Sequence, residues 1–235
     1  MKVTSLQEHP ILTTITDITK QYVLRYDRDN PSNNLPETAT ESYAFEIMYS
    51  LISINSCLDQ LHYSVELLSG YRKQYAPKGM NRSDYITYGI ENYYLRLTSV
   101  YDRCLRLTNA VYKLGLPEKE CKESTIIKNK HIKDTDIAKH LKLLNKFTSD
   151  FRQHRNNVAH NSTYSEEKLD RLNMYYFVTE LNSDIDHFSG LIKQGADEFV
   201  AEKKAEFLKC IQEIEEIVEK YFDSLQPVIV VKLSE

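Results

Sequence analysis

Apolar residues recur every three or four positions through most of this chain, the spacing that lines side chains along one face of an α-helix. Ile11, Ile15, Ile18, Tyr22 and Tyr26 set out a first amphipathic helix over 10–27, with Pro10 suited to its opening turn. The stretch 27–36 is rich in Asp, Asn, Ser and Pro and reads as a polar loop. Thr40, Glu41 and Ser42 offer caps for a second helix, whose stripe is Ala44, Ile47, Met48, Leu51, Ile54, Leu58, Leu61, Val65 and Leu68. Gly70 weakens that pattern and Pro77 ends it. Ser83 opens a third helix through Ile86, Ile90, Tyr93, Leu97, Val100, Cys104, Leu107, Val111 and Leu114, which stops at Gly115 and Pro117.

Residues 118–134 lose the periodicity and read as a basic connector holding a short helix and a loop. A fourth helix begins near Asp134, with Ile137, Leu141, Leu144, Phe147 and Phe151 on one face. Arg155 lies four residues further on, so the spacing predicts that it continues the same face, toward a core or a partner. A fifth helix over 166–193 carries Leu169, Leu172, Tyr176, Leu181, Ile185, Phe188 and Leu191. After Gly195 a sixth carries Val200, Phe207, Leu208, Ile211, Ile214, Val218, Tyr221 and Leu225. Residues 226–235 contain Pro227 and a β-branched run, and are expected to be a tail or an edge strand.

These elements predict an all-α protein: a single antiparallel bundle of about six helices, in one domain covering residues 1–235. Composition agrees. Six Gly and six Pro in 235 residues are too few for a turn-rich β fold. No apolar run approaches the roughly 18 residues of a membrane span, and the first residues lack the apolar core of a signal peptide. Cys57, Cys104, Cys121 and Cys210 are widely spaced and form no Cys-x-x-Cys pair. They read as reduced, mostly buried thiols of a cytoplasmic protein, with no metal site and no cofactor expected.

The net charge of −4 argues against a general polyanion binder, but the distribution is uneven. Between Lys119 and His160 ten Lys and Arg face five Asp and Glu, a local +5 that leaves −9 elsewhere. Four of the seven histidines lie in that segment. Such a segment suits an anionic substrate, and equally suits a solvated lysine-rich loop and helix face.

Within it stands Phe151-Arg-Gln-His-Arg-Asn-Asn-Val-Ala-His160, at the end of a helical pattern. A guanidinium fork at Arg155 can hold phosphate oxygens and stabilise charge developing on them. An imidazole at His160 can take or give a proton near neutral pH, and Asn156 can orient the two by hydrogen bonding. Arg152, His154 and Lys146 flank them as candidate substrate-binding groups. If Arg155 faces inward it needs a counter-charge, for which Asp102 and Glu91 of the third helix are candidates. The competing reading makes Arg155 half of a buried salt bridge and His160 a helix-end cap. Seventeen Tyr and no Trp offer stacking surfaces for bases, but most fall in helical stripes, where core packing explains them.

Arg155-Asn156-x-x-x-His160 resembles the signature of the HEPN superfamily, all-helical proteins that include metal-independent ribonucleases. The third helix, from Glu91 through Arg96 and Arg103 to Leu116, is similar to the one preceding the catalytic helix in some bacterial members. The resemblance implies an endoribonuclease that makes a 2′-hydroxyl attack the adjacent phosphate, leaving a 2′,3′-cyclic phosphate and a 5′-hydroxyl. It implies RNA as substrate and a homodimer that brings two Arg/His pairs to one groove. A toxin or defence role follows, with an antitoxin or regulatory protein as a further partner. A non-catalytic nucleotide- or RNA-binding module is the alternative, and a helical interaction protein the third. HEPN toxins that pair with a nucleotidyltransferase antitoxin carry a Tyr two residues beyond the His. Here Ser162 stands there, and the nearest Tyr is Tyr164.

Overall fold

The computed structural model describes residues 5–25, 29, 36–160, 163–181 and 188–234. Among them are seven α-helices and no strand. They are α1 (Pro10–Leu24), α2 (Ala39–Leu67), α3 (Arg82–Val111), α4 (Glu123–Ile126), α5 (Asp136–His160), α6 (Glu167–Leu181) and α7 (Ser189–Ser234). The fold is all-α, a helical bundle of the kind the stripes predict.

The chain divides into two compact units. The first holds residues 1–59, 99–148 and 214–235, the second 60–98 and 149–213. α2 and α5 run from the first into the second, α3 and α7 from the second into the first.

In the first unit the predicted stripes meet. Ile47, Leu51 and Ile54 of α2, Cys104 and Leu107 of α3, Leu141 and Leu144 of α5, and Val218 and Leu225 of α7 are all fully buried. Each such aliphatic side chain contributes about 1.5–3 kcal/mol relative to exposure. Several polar groups that enter this core are paired, while Asn55 Oδ1 and Arg103 Nε are buried without a hydrogen-bond partner among the described residues. The Tyr221 hydroxyl donates to the Cys104 carbonyl at 2.7 Å and shares a 2.7 Å hydrogen bond with Thr108. His9 Nδ1 accepts the Ile11 N–H at 3.1 Å, capping α1, which leaves Nε2 to donate to Asp223 at 3.1 Å. The connector 118–134 is basic but anchored: Ile126 and Ile132 are fully buried beneath its lysines.

In the second unit Tyr93 stacks on Phe207, centroids 3.8 Å apart and planes 7° from parallel, among buried Leu61, Val65, Ile86, Ile90, Leu169 and Phe199. A Cβ at Gly89 of α3 would stand 2.8 Å from the tip of the Leu68 side chain, so the glycine leaves room for that buried residue just past the end of α2. Cys57 and Cys104 are buried and Cys121 and Cys210 partly so, none of them in a disulfide.

Three boundaries differ from the expectation. The predicted fifth helix is described as far as Leu181, residues 182–187 lie outside those described, and residues 189–193 belong to α7. Gly195 does not separate two helices but sits inside α7. A mid-helix glycine costs about 1 kcal/mol, which the burial of Ile192, Ala196 and Phe199 at helical spacing outweighs. Residues 226–234 are neither tail nor strand: α7 continues through Pro227 to Ser234. Leu225 and Ile229, four residues apart and both fully buried, extend the stripe across the proline. Their packing offsets the hydrogen bond that Pro227 cannot donate.

Candidate functional site

The last three turns of α5 carry most of the candidate residues, and they belong to the second unit. The buried row of this helix runs Ile137, Leu141, Leu144 and Thr148, then reaches half-buried Phe151. From there the row turns onto His154 and Val158, both half-buried, and Arg155 is exposed. Of the two placements predicted for Arg155, toward a core or toward a partner, the first is therefore corrected. A helix of 3.6 residues per turn lets either position follow Phe151, and ring packing selects His154. Its imidazole stacks on Tyr94, with centroids 4.8 Å apart and planes 17° from parallel, and tilts against Tyr164 at 5.7 Å.

Arg155 donates from Nη1 to Asn156 Oδ1 at 3.1 Å, so Asn156 meets one member of the Arg155/His160 pair it was expected to orient. Both are exposed, and Arg155 makes no ion pair among the described residues. Neither suggested counter-ion pairs with it. Glu91 of α3 instead accepts the Tyr164 N–H at 2.8 Å. Asp102 lies in the first unit, lining a cleft with Arg106, Pro117 and Glu118. Lys146 is exposed on the part of α5 that belongs to the first unit, and Arg152 is half-buried. His160 is the final residue of α5; its side chain, and Ser162 altogether, lie outside the described residues.

The chain leaving the motif is pinned by groups the sequence did not point to. Glu166 accepts the Tyr164 hydroxyl at 2.7 Å and pairs with Lys203 of α7 at 2.7 Å. Lys203 also donates to Glu206 at 2.8 Å, while its side chain is only 9% exposed. Burial pushes the Glu166 carboxyl up, but the hydrogen bonds from Lys203 and Tyr164 prevail and hold it below the usual carboxylate range. Burial depresses the Lys203 ammonium, and its hydrogen bonds to Glu166 and Glu206 raise it overall. Tyr164 is buried, and burial, with the Glu166 carboxylate second, pushes its hydroxyl well above the ordinary phenol value. The sequence signal was faint: Lys203 sits in the charged run Ala201-Glu-Lys-Lys-Ala205, and its Glu166 partner is far away in the chain.

Beside this segment a groove of about 560 Å³ is lined by Glu91 and Thr163 and by exposed Tyr88, Met174 and Phe177. Among the described residues no three His, Cys, Asp or Glu are grouped to hold a metal ion, and no helix is long and apolar enough to cross a membrane.

The Cthe2314-like HEPN family matches this sequence over residues 32–226, a span that contains the whole motif and parts of both units. No curated protein and no solved structure gives a significant match.

Proposed function

The chain belongs to the Cthe2314-like HEPN family, whose membership fits a nuclease or a nucleotide-binding module, and we propose that it is an endoribonuclease working without a metal. The observation that carries this reading is the state of Arg155. A guanidinium held by a neutral amide, exposed and without an ion pair among the described residues, is free to bind phosphate oxygens. In the proposed reaction the ribose 2′-hydroxyl loses its proton to an imidazole and attacks phosphorus. Arg155 stabilises the pentacoordinate phosphate, and the 5′-oxygen leaves with a proton from an acid. Asn156 orients the guanidinium.

His160 supplies one imidazole per chain. His154 is committed to the Tyr94 stack, so it is not the second. The second is assigned to another copy of the chain, placed across a two-fold axis. Exposed Tyr88, Met174 and Phe177 give the second unit apolar surface beside the motif for such a partner. Tyr164, buried and bonded to Glu166, is closed to a modifying antitoxin, so any toxin or defence role would be restrained in another way.

The test is incubation of the full chain with RNA in excess chelator. Wild type should leave 2′,3′-cyclic phosphate ends. Arg155→Ala and His160→Ala should each lose about 100-fold or more of the rate. Binding that persists in wild type without any cleavage would favour the non-catalytic module. Cleavage unchanged in both variants would end the assignment. Sedimentation should show a dimer.

A further inference from the structure

The second unit holds another cationic site, built from residues outside the motif. From Leu67 to Ser83 the sequence carries Arg72, Lys73, Lys78 and Arg82 and no Asp or Glu. This loop between α2 and α3 forms a cleft of about 950 Å³, closed on its far side by Tyr176 and Thr179 of α6 and by Lys193 and Asp197 of α7. Five cations thus line it against one carboxylate. That carboxylate is committed: Asp197 takes Arg82 Nη2 at 2.5 Å, and Arg82 Nη1 also reaches the Lys193 carbonyl at 3.4 Å. Arg82 is thereby oriented, while Arg72, Lys73, Lys78 and Lys193 are exposed and form no ion pair among the described residues.

The loop has a fixed shape. The Tyr71 hydroxyl donates to the Met80 carbonyl at 3.1 Å, tying its two ends. The Tyr75 and Ala76 N–H groups both donate to the Arg72 carbonyl, at 2.9 and 3.0 Å. Gly79, at φ 86°, supplies the left-handed turn that a side chain would resist. Lys204 Nζ reaches Ser69 Oγ at 3.2 Å, fastening the loop's start to α7. In the same loop, between cleft-lining Lys73 and Ala76, Tyr75 is 82% exposed, a ring with no packing role to explain it.

We propose that this cleft binds the sugar–phosphate backbone of a single-stranded RNA, with Tyr75 stacking on an unpaired base. Clustered cations on a preformed surface, a fixed guanidinium and an exposed ring are the combination that tracks a single strand without reading its sequence. The cleft is an anchoring site, separate from the chemistry assigned to Arg155 and His160, and it stands whether or not those residues cleave.

The experiment measures anisotropy of a labelled single-stranded RNA 20-mer with full-length His160→Ala protein, across a salt series. Binding should weaken steeply with salt. Reversing Arg72, Lys73 and Lys78 to Glu should lower affinity at least about tenfold at low salt and cut the salt slope by roughly 2, the value for three lost single-strand phosphates. Tyr75→Ala should cost about fivefold or more. Alanine at the same three cations, with an unchanged melting curve, should lose about threefold or more, which separates lost contacts from misfolding. Reversing Lys122, Lys128 and Lys142 of the first unit should change affinity less than twofold. Triple reversal that leaves affinity and slope intact overturns the proposal. So does binding to anionic phospholipid vesicles without binding to RNA. Failure of wild type to cleave, with this cleft still required for binding, sinks the nuclease reading alone.

Discussion

In the first unit no Lys, Arg, Asp or Glu among the described residues is fully buried: its core hydrogen bonds come from the Tyr221 and Thr108 hydroxyls and a His9 ring that accepts at one nitrogen and donates at the other, and the half-buried Arg103 guanidinium turns onto the neutral Ser53. In the second unit the interior holds an ammonium between two carboxylates. Lys203 is the one Lys, Arg, Asp or Glu that is buried among the described residues. The difference follows from what each unit must hold. The first joins helices along continuous apolar stripes, so it requires no buried ammonium or carboxylate. The second must fix an irregular segment, 163–166, immediately after the motif, and that segment has little apolar surface of its own. Charged hydrogen bonds are stronger and more directional than neutral ones, so they can hold a short polar stretch where packing cannot.

The largest effects should come from what the units share, a buried ring. Tyr221→Ala in the first and Tyr93→Ala in the second should each cost about 3–5 kcal/mol, by loss of packing and creation of a cavity. Urea titration reads this directly. A loss below about 1 kcal/mol at either position would show that its ring does not hold that core together, and the likeness between the two interiors would fail there.

The charged centre should cost less to break. Lys203→Met keeps the stem and removes the ammonium, leaving Glu166 without its main partner. Breaking a fully buried pair costs about 3–5 kcal/mol. Here the two carboxylate side chains keep 34% and 45% exposure, so the expected loss is about 2 kcal/mol. Adding Glu166→Gln should recover part of it, because the stranded charge is gone. Strict additivity of the two changes would mean that the pair is not coupled.

The same contrast explains what was legible in the sequence. The α2 stripe from Ala44 to Leu68 is buried almost residue for residue, because period and burial report the same thing in a helix packed on one face. Within the motif one contact was legible: the Arg155 and Asn156 side chains do meet. The exposure of Arg155 was not, since residues three and four beyond Phe151 compete for one face and only the Tyr94 ring decides between them. The continuation of α7 past Pro227 hinges on Ile229, whose partners no local rule supplies. Lys203 was illegible for the same reason: Glu166, one of its two carboxylate partners, lies on a distant stretch of chain. The acid-free run from Leu67 to Ser83 was readable in principle, but a count over a longer window favoured the lysines of 119–160. In that segment two of the lysines are drawn onto neighbouring acids, Lys139 onto Asp136 at 2.7 Å and Lys133 near Asp134 at 3.7 Å.

The smallest effect distinguishes the units by acid. Glu166 has a folded-state pKa below its ordinary value of 4.5, because the Lys203 and Tyr164 hydrogen bonds outweigh its burial. A depressed carboxyl contributes stability that is fully present above the unfolded value and is lost as pH falls through the folded one. The urea midpoint of wild type should therefore drop as the medium is acidified from neutral to below about pH 4.5, the ordinary Glu value. Asp197 and Asp136 are depressed as well, through Arg82 and Lys139, so part of that drop belongs to them. Lys203→Met removes the principal group holding Glu166 down, so its acid drop should be shallower than wild type's, although its midpoint at neutral pH is lower. Parallel curves for the two proteins would mean that Glu166 draws its low pKa from elsewhere. The ionic interior of the second unit would then be no different in kind from the neutral one of the first.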